Sequence, residues 1–288
     1  MTHDSPLRRI AARLSGKSRD PRPSPEGSIA TDDLAAEFGA SRDVMAKFVA
    51  RFSPGAIADN RFAAASDTML FVHIPKTAGM SVGKAMQTVF DRFHGVEWNN
   101  TGPSFRKLAR VAAYDQSRGH LRQVIMGHYG WTELQYWRNQ DLPIKSGTIL
   151  RDPIQRMVSN FNYNSSEAHP AHQQFVAKYP TITAYINNTA FDVQLTQAIG
   201  LVSSFDDVLT KLTLNYTFLG LTEHLGQSLR LLSRSHGLPK FEEHRTNVGT
   251  KPAEELPPAV SNLILERNHN DAKIHALLMR LYAAAEEK

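Results

Sequence analysis

Apolar positions along the chain change their period at definable points. From Thr31, residues Leu34, Phe38, Val44, Phe48 and Phe52 recur at roughly helical spacing. Gly39 and Ser41 divide this stretch into two predicted helices, and Pro54 and Gly55 end the second. Residues 69–74, MLFVHI, form a short apolar run followed by turn residues, the pattern of a strand buried on both faces. From Ser81 the period becomes helical, with Val82, Ala85, Met86, Val89 and Phe93 on one face, so residues 75–80 form a strand-to-helix turn.

Three further strands are predicted: 123–126 ending at Gly127-His128, 147–150 ending at Arg151-Asp152-Pro153, and 216–221 ending at Thr222-Glu223. Pro153 suits the first turn of a helix carrying Ile154, Val158 and Phe161, because its missing N–H costs nothing there. Ser204 and Asp207 have capping-box spacing for a helix before the last strand. Residues 260–285 read as one long amphipathic helix burying Leu263, Ile274, Leu277, Leu278 and Leu281.

Strands alternating with helices predict an α/β fold: a P-loop-like, three-layer domain with a central parallel sheet flanked by helices. Ligands of such sheets bind beyond the carboxyl ends of the strands. Lys76, His128, Arg151 and Glu223 each follow a predicted strand. Residues 1–28, rich in Pro, Ser, Arg and Gly, read as a disordered tail, 29–65 as a helical extension, and 66–288 as the main domain. There is no internal repeat.

The 288 residues include 41% hydrophobic ones, enough for a packed core. No cysteine is present, which excludes disulfides, thiolate catalysis and cysteine metal sites. A net charge of +5 and a pI near 9.4 favour anionic partners, but also suit a mildly basic protein with no such partner. No apolar stretch approaches the roughly 20 residues of a membrane span, and residues 1–25 lack the apolar core of a secretory signal. The expectation is a cytoplasmic protein without integral membrane association.

HIPKTAGMS, residues 73–81, carries the first candidate chemistry. Backbone N–H groups at a strand-to-helix turn converge on an anion, and the helix dipole assists. Thr77, Ala78 and Gly79 are small enough for close approach, and Gly79 can take a positive φ. Lys76 supplies a point charge, and Thr77 and Ser81 supply hydroxyls. The lysine comes too early for a Walker A loop, which argues against triphosphate hydrolysis and for a phosphate ligand bound without metal. An ordinary turn with an exposed lysine is the competing interpretation.

The stretch FVHIPKTAGMSV, residues 71–82, resembles the 5′-phosphosulfate-binding loop of carbohydrate sulfotransferases related to heparan sulfate 2-O-sulfotransferase. Met80 stands where that family has threonine. The resemblance implies that residues 76–81 bind the donor 3′-phosphoadenosine 5′-phosphosulfate (PAPS).

In LRDPIQRMVSNFNY, residues 150–163, Arg151 stands at a strand end and Ser159 two turns into the next helix. An arginine fork and a hydroxyl can share one anion, although a strand-end Arg–Asp pair and a helix-interior serine would read the same. R-D-P-x-x-R-x-x-S resembles the family's 3′-phosphate motif, which implies that Arg151 and Ser159 hold the 3′-phosphate. Arg156 reads as a packing or pairing residue.

His128 lies in GHYGW, where aromatic neighbours suit a sugar ring. Histidine is the usual base near neutral pH. The resemblance implies His128 as base, Lys76 as the cation stabilising the leaving phosphate, and Trp131 and Glu223 as substrate contacts. Glu223 would bind substrate, orient His128 or cap a helix. Related 2-O-sulfotransferases carry another histidine where this chain has Met126. Thr246 and Asn247 fall in a segment resembling the loop that closes over the nucleotide, and Asp271 reads as structural.

Sulfuryl transfer to a hydroxyl of a carbohydrate or glycolipid is therefore the leading expectation. A P-loop-type nucleotide kinase is the second. A nucleic-acid-binding module is the third, and the scattered charges, 33 basic against 28 acidic, argue against a nucleic-acid partner.

Overall fold

The fold is taken from a computed structural model, described over residues 30–59, 68–97, 103–117, 122–139, 144–241 and 256–286. The predicted tail at 1–28, residues 60–65 of the predicted extension, Thr246 and Asn247 lie outside the described residues.

Three helices come first: α1 (Thr31–Phe38), α2 (Arg42–Phe52) and α3 (Pro54–Asp59). Gly39 closes α1 in a left-handed conformation, as a glycine at that position favours. Pro54 opens α3 and does not end the helical region, because proline is tolerated in a first turn. Leu34, Phe48 and Ile57 are fully buried in the same core as the sheet residues. Arg51 Nε donates to the Tyr216 carbonyl at 2.8 Å, tying α2 to the chain just before the last strand.

The sheet elements follow: β1 (Thr68–Val72), α4 (Gly79–Val89), β2 (Arg92–Val96), α5 (Pro103–Ser117), β3 (Gln123–Gly127), α6 (Trp131–Arg138), β4 (Ile144–Leu150) and α7 (Pro153–Asn164). The chain continues through α8 (His172–Lys178), α9 (Ile182–Asn187), α10 (Val193–Ile199), α11 (Phe205–Asn215), β5 (Phe218–Leu221), α12 (Leu225–His236), α13 (Pro258–Arg267) and α14 (His269–Glu286).

Among the described residues the five strands are all parallel, in the order β2-β3-β1-β4-β5. β1 and β3 are buried along their whole length, as their apolar runs require. Truncating a core ring such as Phe71 to alanine would cost about 3–5 kcal/mol. β2 was not predicted. Its RFHGV sequence is only partly buried at the sheet edge and has no continuous apolar run. Phe93 therefore belongs to β2 and not to the helix before it. The predicted C-terminal helix is two helices, broken at Asn268, whose buried side chain donates to the Ile264 carbonyl and accepts from the Val193 N–H. Ser204 does cap α11, its Oγ accepting from the Asp207 N–H at 3.1 Å.

After β1 the chain moves toward β2; after β4 it moves toward β5. The carboxyl ends of these adjacent strands thus flank a topological switch point, where the connections part and leave a crevice. Among the described residues no helix is long and apolar enough to cross a membrane.

Candidate active site

The turn after β1 is strained in a way that shapes it for a ligand. Lys76 and Ala78 both have left-handed backbones, with φ of 71° and 62°. Each such non-glycine residue costs about 1–2 kcal/mol. Alternating backbone handedness turns successive N–H groups toward a common point, which is an anion-binding nest. The positive φ open to Gly79 falls instead on Ala78 and Lys76, one and three residues earlier. Gly79 is required for another reason: an added Cβ would stand 1.6 Å from His73 Nε2. The Thr77 hydroxyl is buried and donates to the Ile74 carbonyl at 2.8 Å, so it builds the turn. Ser81 is also buried, in the first turn of α4, and Met80 is exposed beside it.

Arg151, at the end of β4, reaches this turn: its Nη1 donates to the Lys76 carbonyl at 3.0 Å. Burial, then the neighbouring Arg151 charge, lowers the Lys76 pKa. Burial also lowers that of Arg151, against the pull of Glu223 and Asp152. Two desolvated cations at one crevice bind an anion more strongly than they would in water. Asp152 caps α7, accepting from the Gln155 N–H at 2.8 Å. The Lys76 ammonium lies 4.1 Å from the centre of the Tyr163 ring. Ser159 is one turn earlier on α7, on the face that carries Tyr163. Arg156 is buried, its charge opposed by Asp271.

His128 follows β3. Its Nδ1 lies 3.2 Å from the His73 carbonyl oxygen, and the two imidazoles lie against each other, tilted by 32°, with centroids 4.3 Å apart. A neutral His128 that donates to that carbonyl carries its proton on Nδ1. Burial lowers the His128 pKa, and burial plus the His128 and Lys76 charges lower that of His73 to about 3. Burial thus favours the neutral form of both rings.

Beside His128 opens a cavity of about 670 Å³, with Met80, Phe93, Val96 and Met126 in its wall and Glu97 on its lining. Among the described residues that line it there is no lysine or arginine. Trp131 begins α6, half-buried against Gly200, where an added Cβ would come within 2.8 Å of the indole. The structure does not bring Glu223 to His128, because β1 and β4 lie between the two strand ends. The Glu223 oxygens accept from the Asp152 N–H at 2.8 Å and lie 3.3 Å from His275 Nε2. Burial raises the Glu223 pKa, but these partners outweigh it and the net shift is downward.

A sequence model of the sulfotransferase family matches residues 59–274, from ahead of β1 into α14. The chain belongs to the sulfotransferase family. A mouse sulfotransferase, SULT7A1 complexed with PAP, is similar among solved structures, with 15% identity, a TM-score of 0.41 and coverage of 79% of this chain and 92% of that one. Curated protein sequences give no match. Within this sulfotransferase, sequence reasoning missed Tyr163, although it lies in the quoted second motif, and also Gln194 and Gln197 on α10. Tyr163 was detectable as the aromatic one turn beyond Ser159. The two glutamines carry no local pattern.

Proposed function

We propose that this sulfotransferase moves a sulfuryl group from PAPS to a hydroxyl of a carbohydrate or glycoconjugate, with His128 as base and Lys76 stabilising the leaving phosphate. The observation that carries the reading is the Arg151–Lys76 contact, which joins the two anion-binding motifs in one crevice. One motif suits a 5′-phosphosulfate and the other a 3′-phosphate. The fit is supported by the strained turn at residues 76–78 and by Gly79, whose missing side chain lets His73 pack directly beneath it.

The donor supplies an activated sulfur whose bond to the bridging oxygen breaks as the acceptor oxygen attacks. His128 Nε2 takes the acceptor proton, while its Nδ1–H bond to the His73 carbonyl holds the ring in place. Lys76 and the nest N–H groups stabilise the charge left on the 5′-phosphate oxygen. Arg151 and Ser159 hold the 3′-phosphate, and Tyr163 positions Lys76. Positioning and electrostatics supply most of such a group transfer.

The walls beside His128 bear on the acceptor. Hydroxyls buried among Met80, Phe93, Val96 and Met126 would lose hydrogen bonds to water, at about 1–3 kcal/mol each. Glu97 would repel an anion. These features favour a neutral sugar or glycolipid that presents an apolar face over an acidic polysaccharide.

Calorimetry with adenosine 3′,5′-bisphosphate, and separately with ADP and Mg²⁺, tests the donor assignment. Metal-independent binding of the bisphosphate, weakened by Arg151→Ala, is expected. Preference for ADP with Mg²⁺ would replace this reading with the kinase one.

A further inference from the structure

α10 lies in the stretch between the two motifs and the last strand, and it touches the ends of three strands. Gln194 is buried, and its amide grips the peptide of Arg151 from both sides. Its Oε1 accepts from the Arg151 N–H at 3.0 Å, and its Nε2 donates to the Arg151 carbonyl at 2.8 Å. This pair of bonds extends the end of β4 much as another strand would. It holds the backbone from which the guanidinium reaches Lys76.

Gln197 is three residues on, so both amides share one helix face. Its Nε2 donates to the His73 carbonyl and to the Tyr129 carbonyl, each at 3.1 Å. These acceptors flank His128: one is its own Nδ1 partner and the other belongs to the next residue in the chain. A single amide thus joins the ends of β1 and β3 where the base stands.

α10 is fixed from behind. Asp271 on α14 accepts from the Gln194 and Leu195 N–H groups, each at 2.9 Å, and the Tyr216 hydroxyl donates to the Ala198 carbonyl at 2.8 Å. Leu195, Ala198 and Ile199 are fully buried. The helix cannot slide without breaking these contacts, so its two amides act as fixed points for the strand ends.

We infer that Gln194 and Gln197 are separate positioning residues of the transfer site, Gln194 setting Arg151 for the donor 3′-phosphate and Gln197 setting His128 as the base. The inference rests on the sulfuryl-transfer reading. Neither glutamine is placed to react. Gln194 acts through the backbone of Arg151, and Gln197 through the carbonyls of His73 and Tyr129 that flank His128.

The test uses the full chain with two isosteric variants, Gln194→Met and Gln197→Met. Adenosine 3′,5′-bisphosphate affinity is read by calorimetry, the His128 tautomer by ¹⁵N NMR with His128→Asn as the assignment control, and folding by thermal unfolding. Gln194→Met is expected to weaken bisphosphate binding about tenfold, the scale of one or two lost hydrogen bonds, and to leave the His128 tautomer unchanged. Gln197→Met is expected to leave affinity within about twofold while His128 changes from an Nδ1-protonated ring to a mixture of tautomers. If either methionine variant fails to fold, the Gln→Glu variant at that position keeps shape and acceptor oxygens while losing the amide donor.

Parallel loss of both properties in both variants, with a lowered unfolding midpoint, would make α10 a purely structural element and overturn the inference. No change in either variant would also overturn it. Failure of the unsubstituted protein to bind the bisphosphate would instead remove the transfer reading, and this inference with it.

Discussion

The Gly79 Cα lies against the His73 imidazole so closely that a methyl group there would stand 1.6 Å from Nε2. The contact sets the distance between the turn after β1 and the pair formed by His73 and His128, centroids 4.3 Å apart. Gly79→Ala must therefore push His73 away, at a cost of about 1–3 kcal/mol for overpacking. His73→Ala with Gly79→Ala removes the clash, so the double variant should be more stable than the two single losses added together. Chemical denaturation of the four proteins in the cycle measures this. Strict additivity would mean that the turn absorbs the methyl without moving His73.

The same burial gives the fold a defined response to acid. The His73 pKa is about 3 in the folded protein against 6.5 for an ordinary histidine. Between these values the unfolded chain binds a proton that the folded chain does not, so protonation favours unfolding. The stabilising contribution is complete above about 6.5 and is lost as the pH falls toward about 3. His73→Asn should flatten the decline of the unfolding midpoint across that window. An unchanged slope would assign the acid sensitivity to other groups.

How much of this was readable in the sequence follows the range of each interaction. Strands β1, β3 and β5 and the last four residues of β4 stood out because each is buried and mostly apolar, while the polar start of β4, Lys145 and Ser146, was missed. β2 was hidden because its edge position leaves Arg92 and Gly95 exposed. The turn at residues 73–81 was readable as a candidate site because its lysine, small residues and hydroxyls are neighbours in the chain. Its strain falls one and three residues before the glycine, at Ala78 and Lys76, because Gly79 is needed to clear His73 and not for its backbone angle. Gln197 was beyond reach. Its two acceptors lie 124 and 68 residues away in the chain, and only the packing of α10 brings them together.

His128 should show its environment in the pH dependence of turnover. Burial favours the neutral ring, while the His73 carbonyl favours the protonated one, and the net pKa is below 6.5. Activity limited by a base falls as that base gains a proton. The acid limb of the kcat profile should therefore lie below the ordinary histidine value, with activity flat from there through neutrality. His128→Asn keeps a donor for the His73 carbonyl but provides no base, and should lower kcat by about 10²–10⁴-fold. Binding of adenosine 3′,5′-bisphosphate should change little. An acid limb that persists in His128→Asn would assign the proton transfer to another group.

The cavity beside His128 gives the last prediction. Met126 lies in its wall within ordinary van der Waals reach of the position a Cβ on Gly83 would occupy, so it fills the space between β3 and α4. Met126→Lys places a cation where the described lining has none. Burying that ammonium costs more than it gains unless an anion pairs with it. KM for a neutral glycolipid acceptor should rise by an order of magnitude or more, while that for an acidic oligosaccharide falls and donor affinity stays within about twofold, since Arg151 and Lys76 are untouched. The measurement is initial rates with the two acceptors at saturating PAPS, for the natural protein and for Met126→Lys. Equal effects on both acceptors would show that Met126 sets the shape of the cavity and not its charge preference. Faster turnover of the acidic acceptor by the unsubstituted protein would mean that the acceptor avoids this wall, and that the apolar cavity serves another part of the substrate.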